Sequence, residues 1–191
     1  MKIEQRVLGV LLFAVLSGVL SGAQPAAAGQ SPDYPAIKRQ TQLFETVLNT
    51  AIQQRFEQPF LVLQETKGSY LEGYGVVFTL EVSLYPMRIR TPFSATPYSD
   101  KELSAARAQK LARIKDLETL IRDLLRDHGM GLSFVPDNEN VAVVVHLFNQ
   151  AEQRDLPSQL AVQAKKQWLQ DAAGRKLSAA EFRQKLSVIS F

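Results

Sequence analysis

The two histidines are the side chains in this chain best suited to general acid–base chemistry near neutral pH. His128 precedes Gly129 at the end of a long helical pattern, where a cationic side chain stabilises a helix C-terminus. His146 lies in an apolar stretch, where a packed and hydrogen-bonded histidine is the common arrangement. Because both histidines have structural explanations, we assign no catalytic residue. A hydrolase-type enzyme with a site around His146 is the alternative.

Other motifs that could carry chemistry are incomplete. Ser133 lacks the second glycine of a nucleophile elbow, and Gly73 and Gly75 do not complete a phosphate-binding loop. These glycines favour a bulge or a close backbone approach at the start of a strand. Asp137 and Glu139 fit a turn better than a calcium loop. With no cysteine and no metal-ligand spacing, we expect neither a metal nor a cofactor.

The composition is that of a chain with one apolar core. Of its 191 residues, 46% are hydrophobic, and the net charge is +3 with both signs interspersed. Nucleic-acid binding is not expected, because no basic block is present to follow a phosphate backbone. Zero cysteines also exclude disulfides and a lipid-bearing cysteine.

The first residues have the features of an export signal. Lys2 and Arg6 precede an apolar run from Val7 to Leu20, and small residues follow up to Ala28. This pattern predicts a signal peptide over residues 1–28, cleaved near Ala28, and a periplasmic or secreted protein. Residues 29–35 are predicted to be a linker and residues 36–191 one domain. The alternative is a membrane-tethered accessory protein that keeps residues 7–23.

The hydrophobic periodicity predicts helices and strands in the order α-β-β-α-β-β-α. The first two helices cover residues 36–56 and about 99–128, and the last helical part of this order consists of residues 166–173 and 179–187. The main strands cover residues 60–66, 74–85, 141–148 and 159–165, and residues 188–191 can add a short terminal strand. For residues 159–165 the alternative is the beginning of a helix. This order indicates a single α+β domain with an antiparallel sheet of about four strands and helices packed on it.

Several local details follow from the same patterns. Residues 67–69 are predicted to form a turn, and Ser99 with Glu102 and Ser178 with Glu181 are predicted capping boxes. Gly129 is expected to end the long helix in a left-handed conformation. Lys110 is expected to bury its aliphatic stem in the apolar stripe of this helix, whose charged face is expected to be solvated.

Three segments resemble a group of uncharacterised exported bacterial proteins: YLEGYGVVFTLEVSLY, LPSQLAVQAKK and KLSAAEFRQKLSV. The resemblance implies an exported scaffold of unknown activity. It carries no catalytic residue over to this chain.

The sequence therefore favours a non-enzymatic binding or envelope accessory protein. Aromatic and arginine side chains are the usual anchors of protein interfaces. The expected contact residues are Tyr74 and Tyr85 around the strand hairpin, with Arg88 and Arg90 in the segment that follows. The expected partner is a protein or an envelope component; contact with a membrane is expected only if the signal segment is uncleaved.

Overall fold

A computed structural model describes residues 33–86 and 98–191, which belong to one compact unit, Pro32–Phe191. Short 3₁₀ turns lie at Gly129–Gly131 and Ala151–Gln153. The other elements are α1 (Tyr34–Arg55), β1 (Leu61–Leu71), β2 (Gly75–Ser83), α2 (Asp100–His128), β3 (Asn140–Leu147), β4 (Gln159–Lys165), α3 (Lys166–Ala173), α4 (Ala179–Lys185) and β5 (Ser187–Ser190). Helix α1 includes Tyr34 and Pro35, which were predicted to belong to the linker. The predicted signal segment, residues 1–28, lies outside the described residues.

The α+β class is confirmed, and the described strands form one sheet in the order β1-β2-β3-β4-β5. The sheet is mixed, because β2 and β3 pair in parallel, whereas the other neighbours are antiparallel. Helix α2 explains this departure from the predicted antiparallel sheet. It carries the chain back along the sheet, so that Asn140 at the start of β3 faces Gly75 at the start of β2.

The hydrophobic core lies on one face of this sheet. Alternate side chains of the three central strands are buried there, and those of β2 are Val76, Phe78, Leu80 and Val82. The helices bury their apolar stripes against the same face; Phe44 of α1 packs on Phe78 with 4.7 Å between ring centroids. Burial of each large side chain stabilises the fold by roughly 1.5–3 kcal/mol. The core therefore accounts for the positions of the helices.

Two glycine predictions are wrong, for related reasons. Residues 67–69 do not turn but continue β1. The glycine is explained by packing, because a side chain at Gly68 would approach Thr41 to 2.4 Å and Phe78 to 2.7 Å. Gly129 is right-handed, with φ −63° and ψ −23°, rather than left-handed. A side chain there would lie 2.8 Å from Leu169 of α3. Both glycines serve close packing between elements and not a special backbone conformation.

Both predicted capping boxes are present, at Ser99 with Glu102 and at Ser178 with Glu181. Each serine hydroxyl accepts the N3 backbone N–H, and each glutamate accepts the N–H of its serine. None of the helices described here combines the length and the apolar character needed to cross a bilayer.

Candidate binding surfaces

The second face of the five-stranded sheet lies opposite the face that carries the hydrophobic core. Strand alternation places on it a second set of side chains, of which Ala142 and Ser83 are buried and most others are at least partly exposed. We call this surface the open face. Its central side chains, taken row by row across the paired strands, are Lys67, Thr79, Val144, Ala161 and Ile189, then Ser69, Val77, Ala142, Gln163 and Ser187, then Gln64, Glu81, His146 and Gln159.

Large apolar side chains are exposed around the centre of the open face. Leu61 pairs with Ser83 and Leu71 with Gly75, which places both leucines on this side of β1; they are 49% and 52% exposed. Ile189 and Phe191 lie at the β5 edge, where they are 55% and 65% exposed. Phe148 follows β3 on the same side. A face that combines these side chains with a centre of valine and alanine has the character of a contact surface.

Tyr74 lies at one end of the open face and is held by a polar network. Its hydroxyl donates to Gln163 Oε1 at 3.1 Å, and Gln163 Nε2 donates to Asn140 Oδ1 at 3.0 Å. Asn140 returns a side-chain hydrogen bond to the carbonyl oxygen of Tyr74 at 3.1 Å. The turn that carries Tyr74 is thereby joined to β3 and β4. Gly75 supplies the close backbone approach, because a Cβ there would lie 1.9 Å from the Asn140 oxygen.

Tyr85 lies beyond the opposite end of β2, so the structure does not bring it together with Tyr74. The guanidinium of Arg113 lies 5.4 Å from the centre of the Tyr85 ring and also bonds the carbonyl oxygens of Glu57, Pro59 and Leu84. Tyr85 thus forms part of the junction between α2 and the end of β2. Arg88 and Arg90, the other two predicted contact residues, lie outside the described residues.

The histidines do not meet. His146 is exposed on the open face next to Glu81 in the strand register, so the prediction of a packed, hydrogen-bonded histidine is wrong. The reason is that β3 has apolar residues on both of its faces, but only one of these faces packs against the core. His128 lines a groove of about 280 Å³ with Asp127, Phe44 and Met130.

Ser133 is bonded to Gln40, a side chain that lines the His128 groove. Ser133 Oγ lies 2.8 Å from Nε2 and 3.2 Å from Oε1 of the Gln40 side chain, and hydrogen-bonds both atoms. Asp127 forms a bidentate pair with Arg126, which lowers the pKa of the Asp127 carboxyl. Within residues 33–86 and 98–191, no serine hydroxyl hydrogen-bonds a histidine, and no cluster of three acidic or histidine side chains is arranged to hold a metal.

The segment around Asp137 and Glu139 ties other elements together. The carboxylate of Glu139 accepts from the hydroxyl of Tyr70 and from the N–H of Gly73, both at 3.1 Å. Burial, and then the hydrogen bond to Glu139, raise the pKa of Tyr70. Asp137 accepts from Gln170 of α3 at 2.7 Å. These acidic residues therefore stabilise turns, as the sequence predicted for this segment.

Lys110 and Lys166 are buried completely. The sequence predicted burial only for the aliphatic stem of Lys110. Lys110 Nζ donates to Phe148 O at 2.6 Å, Asn149 Oδ1 at 2.5 Å and Gln153 Oε1 at 2.9 Å. Lys166 Nζ donates to the carbonyl oxygens of Gly129 and Met130 at the end of α2. Desolvation lowers the pKa of each ammonium to about 8.

The charged face of α2 was expected to be solvated; Lys101 and the Arg107–Asp155 pair are exposed, whereas Lys110 is buried. Arg107, Lys110 and Arg113, spaced by three residues, each bond a loop next to the sheet: Arg107 holds Asp155 in a bidentate pair. Side chains three residues apart lie on one side of a helix. This spacing is the sequence signal that could have indicated the role of these cations. These three cations therefore anchor loops.

Comparison with known proteins gives no relative from which a function could be carried over. No protein-family model, curated protein or solved structure matches this chain.

Proposed function

We propose that this chain is an exported, non-enzymatic binding domain that holds a protein or envelope component on its open face. The observation that carries the proposal is the placement of exposed apolar side chains. Leu61, Leu71, Phe148, Ile189 and Phe191 all lie on this face, whose centre is formed by small apolar residues. A solvated sheet face normally carries polar side chains instead.

The kind of contact follows from the chemistry of the face. Val77, Val144 and Ala161 form an uncharged centre; Lys67 lies at the β1 end of the Val144 row, and Glu81 lies in the neighbouring row. An apolar centre with a polar rim is the usual arrangement of a protein–protein contact. The ordered Tyr74–Gln163 hydrogen bond provides a rigid aromatic side chain at one end. Export comes from the sequence pattern of residues 1–28 and is part of the proposal.

Charged substitutions on the open face test this function. The full chain with an epitope tag is produced in its own cells, and envelope fractions are cross-linked and purified through the tag. Val144→Lys and Ile189→Lys are expected to remove a discrete cross-linked partner that the wild-type chain retains, because a lysine in the apolar centre opposes desolvation. Leu43→Lys, on an exposed position of α1, is the matched control. A partner that stays with Val144→Lys would contradict the proposal.

A further inference from the structure

The outer edge of β1 is partly closed by side chains of α1. Asn49 Oδ1 accepts the N–H of Thr66 at 2.9 Å, and Glu45 Oε1 accepts the N–H of Gly68 at 2.7 Å. Four residues of a helix advance by about 6 Å and two residues of a strand by about 6.8 Å. Helix positions four apart can therefore serve strand positions two apart. These two acceptors occupy the places that carbonyl oxygens of an added strand would take.

The same series stops one step further along the edge. The next helix position is Thr41 and the next outward strand position is Tyr70. The backbone of Leu71 faces β2, because its carbonyl oxygen accepts the N–H of Tyr74. The backbone of the preceding residue, Tyr70, therefore faces the outer edge. Within the described residues, no side chain accepts the N–H of Tyr70, and the Thr41 hydroxyl, in a residue only 7% exposed, has no hydrogen-bond partner.

A groove of about 510 Å³ opens where the series stops. It lies between the first half of α1 and the second half of β1, and Tyr34, Lys38, Thr41, Lys67 and Tyr70 line it. Lys38 and Lys67 are both exposed. Glu45, the acidic side chain of the lining, is already bonded to Gly68. The groove thus presents an edge of unpaired backbone between two ammonium groups.

The geometry points to an extended acidic segment of a partner polypeptide as the occupant of this groove. The segment adds as a short strand to β1, its backbone pairs with the outward N–H and C=O of Tyr70, and an acidic side chain lies between Lys38 and Lys67. Strand addition supplies affinity through backbone hydrogen bonds, and side-chain charge supplies selectivity. Tyr34 is 68% exposed at the helix end of the groove and provides an aromatic contact. This site shares Lys67 with the open face, and its other residues come from α1 and from the outer edge of β1.

A set of synthetic peptides tests the inference on the full chain. The peptides alternate valine and threonine, with aspartate, glutamate or two acidic residues at the centre, and a matched set has lysine there. We expect an acidic peptide to bind with a Kd no weaker than about 1 mM and to shift the NMR signal of the Tyr70 amide. Alternate peptide bonds can be N-methylated in two registers, at the odd or at the even positions of the peptide. We expect N-methylation to abolish binding in only one of these registers.

Charge reversal supplies the matched control. Lys38→Glu combined with Lys67→Glu is expected to weaken binding of the acidic peptide about tenfold or more and to permit binding of the lysine peptide. Lys101→Glu combined with Lys115→Glu, on exposed positions of α2, is expected to change neither. The inference is overturned if no acidic peptide moves the Tyr70 amide at about 1 mM. It is also overturned if both N-methylated series bind equally. A further contrary result is that inorganic phosphate displaces the peptide while the Tyr70 amide signal stays shifted, because the shift would then not come from pairing with the peptide.

Discussion

The carboxylate of Glu45 accepts the backbone N–H of Gly68 at 2.7 Å, so that a helix side chain closes part of the outer edge of the sheet. An unpaired strand edge invites pairing with other chains, and natural proteins protect such edges. Here part of the protection comes from side chains of α1. The pair also fixes the register of α1 against β1, with Asn49 and Thr66 one step further along.

Loss of the Glu45 carboxylate is expected to destabilise the fold. Glu45→Ala leaves the partly buried N–H of Gly68 without its charged acceptor, which costs about 1–3 kcal/mol. The free energy of unfolding from urea titration measures the effect. Gln42→Ala, at an exposed position of the same helix, is expected to change stability by less than about 0.5 kcal/mol. Equal effects of the two substitutions would show that the Glu45–Gly68 bond contributes nothing measurable.

The two glycines at the β1–β2 turn are expected to differ sharply when replaced by alanine. Gly73 has φ +80°, and a Cβ there would have no neighbour within 4 Å, so Gly73→Ala carries only the cost of the left-handed conformation, about 1–2 kcal/mol. Gly75 has φ +123°, and its Cβ would lie 1.9 Å from the Asn140 backbone oxygen. Gly75→Ala is expected to destabilise by well over the Gly73→Ala cost, measured as the difference in urea midpoints. Similar midpoints would refute the close approach.

The buried lysines predict an unusual dependence of stability on pH. The pKa of Lys110 and that of Lys166 are about 8 in the folded chain, against an ordinary value of 10.5. Between these values the unfolded chain binds more protons than the folded chain, so the free energy of unfolding rises with pH. The rise reaches at most about 1.4 kcal/mol per pH unit for each lysine. Below pH 8 both states are protonated, and the full cost of burying the ammonium groups remains.

Urea titrations from pH 7 to about 9.5 measure this slope, below the range in which the raised pKa of Tyr70 acts in the opposite direction. Lys110→Met is expected to reduce the slope and to destabilise the fold at pH 7, because it leaves Phe148 O, Asn149 Oδ1 and Gln153 Oε1 without their donor. Lys101→Met, at an exposed position of α2, is the control. An unchanged slope in Lys110→Met would contradict the role of this ammonium.

The elements that were predictable are those whose signals are local. The capping boxes at Ser99 and Ser178 and the apolar stripe that includes Lys110 depend on residues a few positions apart, and the structure contains all of them. The parallel pairing of β2 with β3 was not predictable, because it depends on how α2 returns across the sheet. The turn predicted at Gly68 failed for a similar reason: the glycine makes room for Thr41, which is distant in sequence.

The candidate site was predictable only in part. Tyr74 lies on the open face as one of its fixed aromatic side chains, whereas Tyr85 packs over Arg113 at the other end of β2. The sequence does show that Val144 and His146 share a face of their strand. Whether a helix covers that face depends on tertiary packing, and so the exposure of His146 could not be inferred from β3 alone.

The most direct measurement of the central claim is site-specific photo-cross-linking in the producing cell. A photoreactive residue replaces Val144 at the centre of the open face in one chain and Leu111, exposed on α2, in another. The proposed function predicts a discrete cross-linked adduct of the full chain at the Val144 position and none at the Leu111 position. Absence of an adduct at Val144, or the same adduct at both positions, would contradict the assignment of the open face as the binding surface.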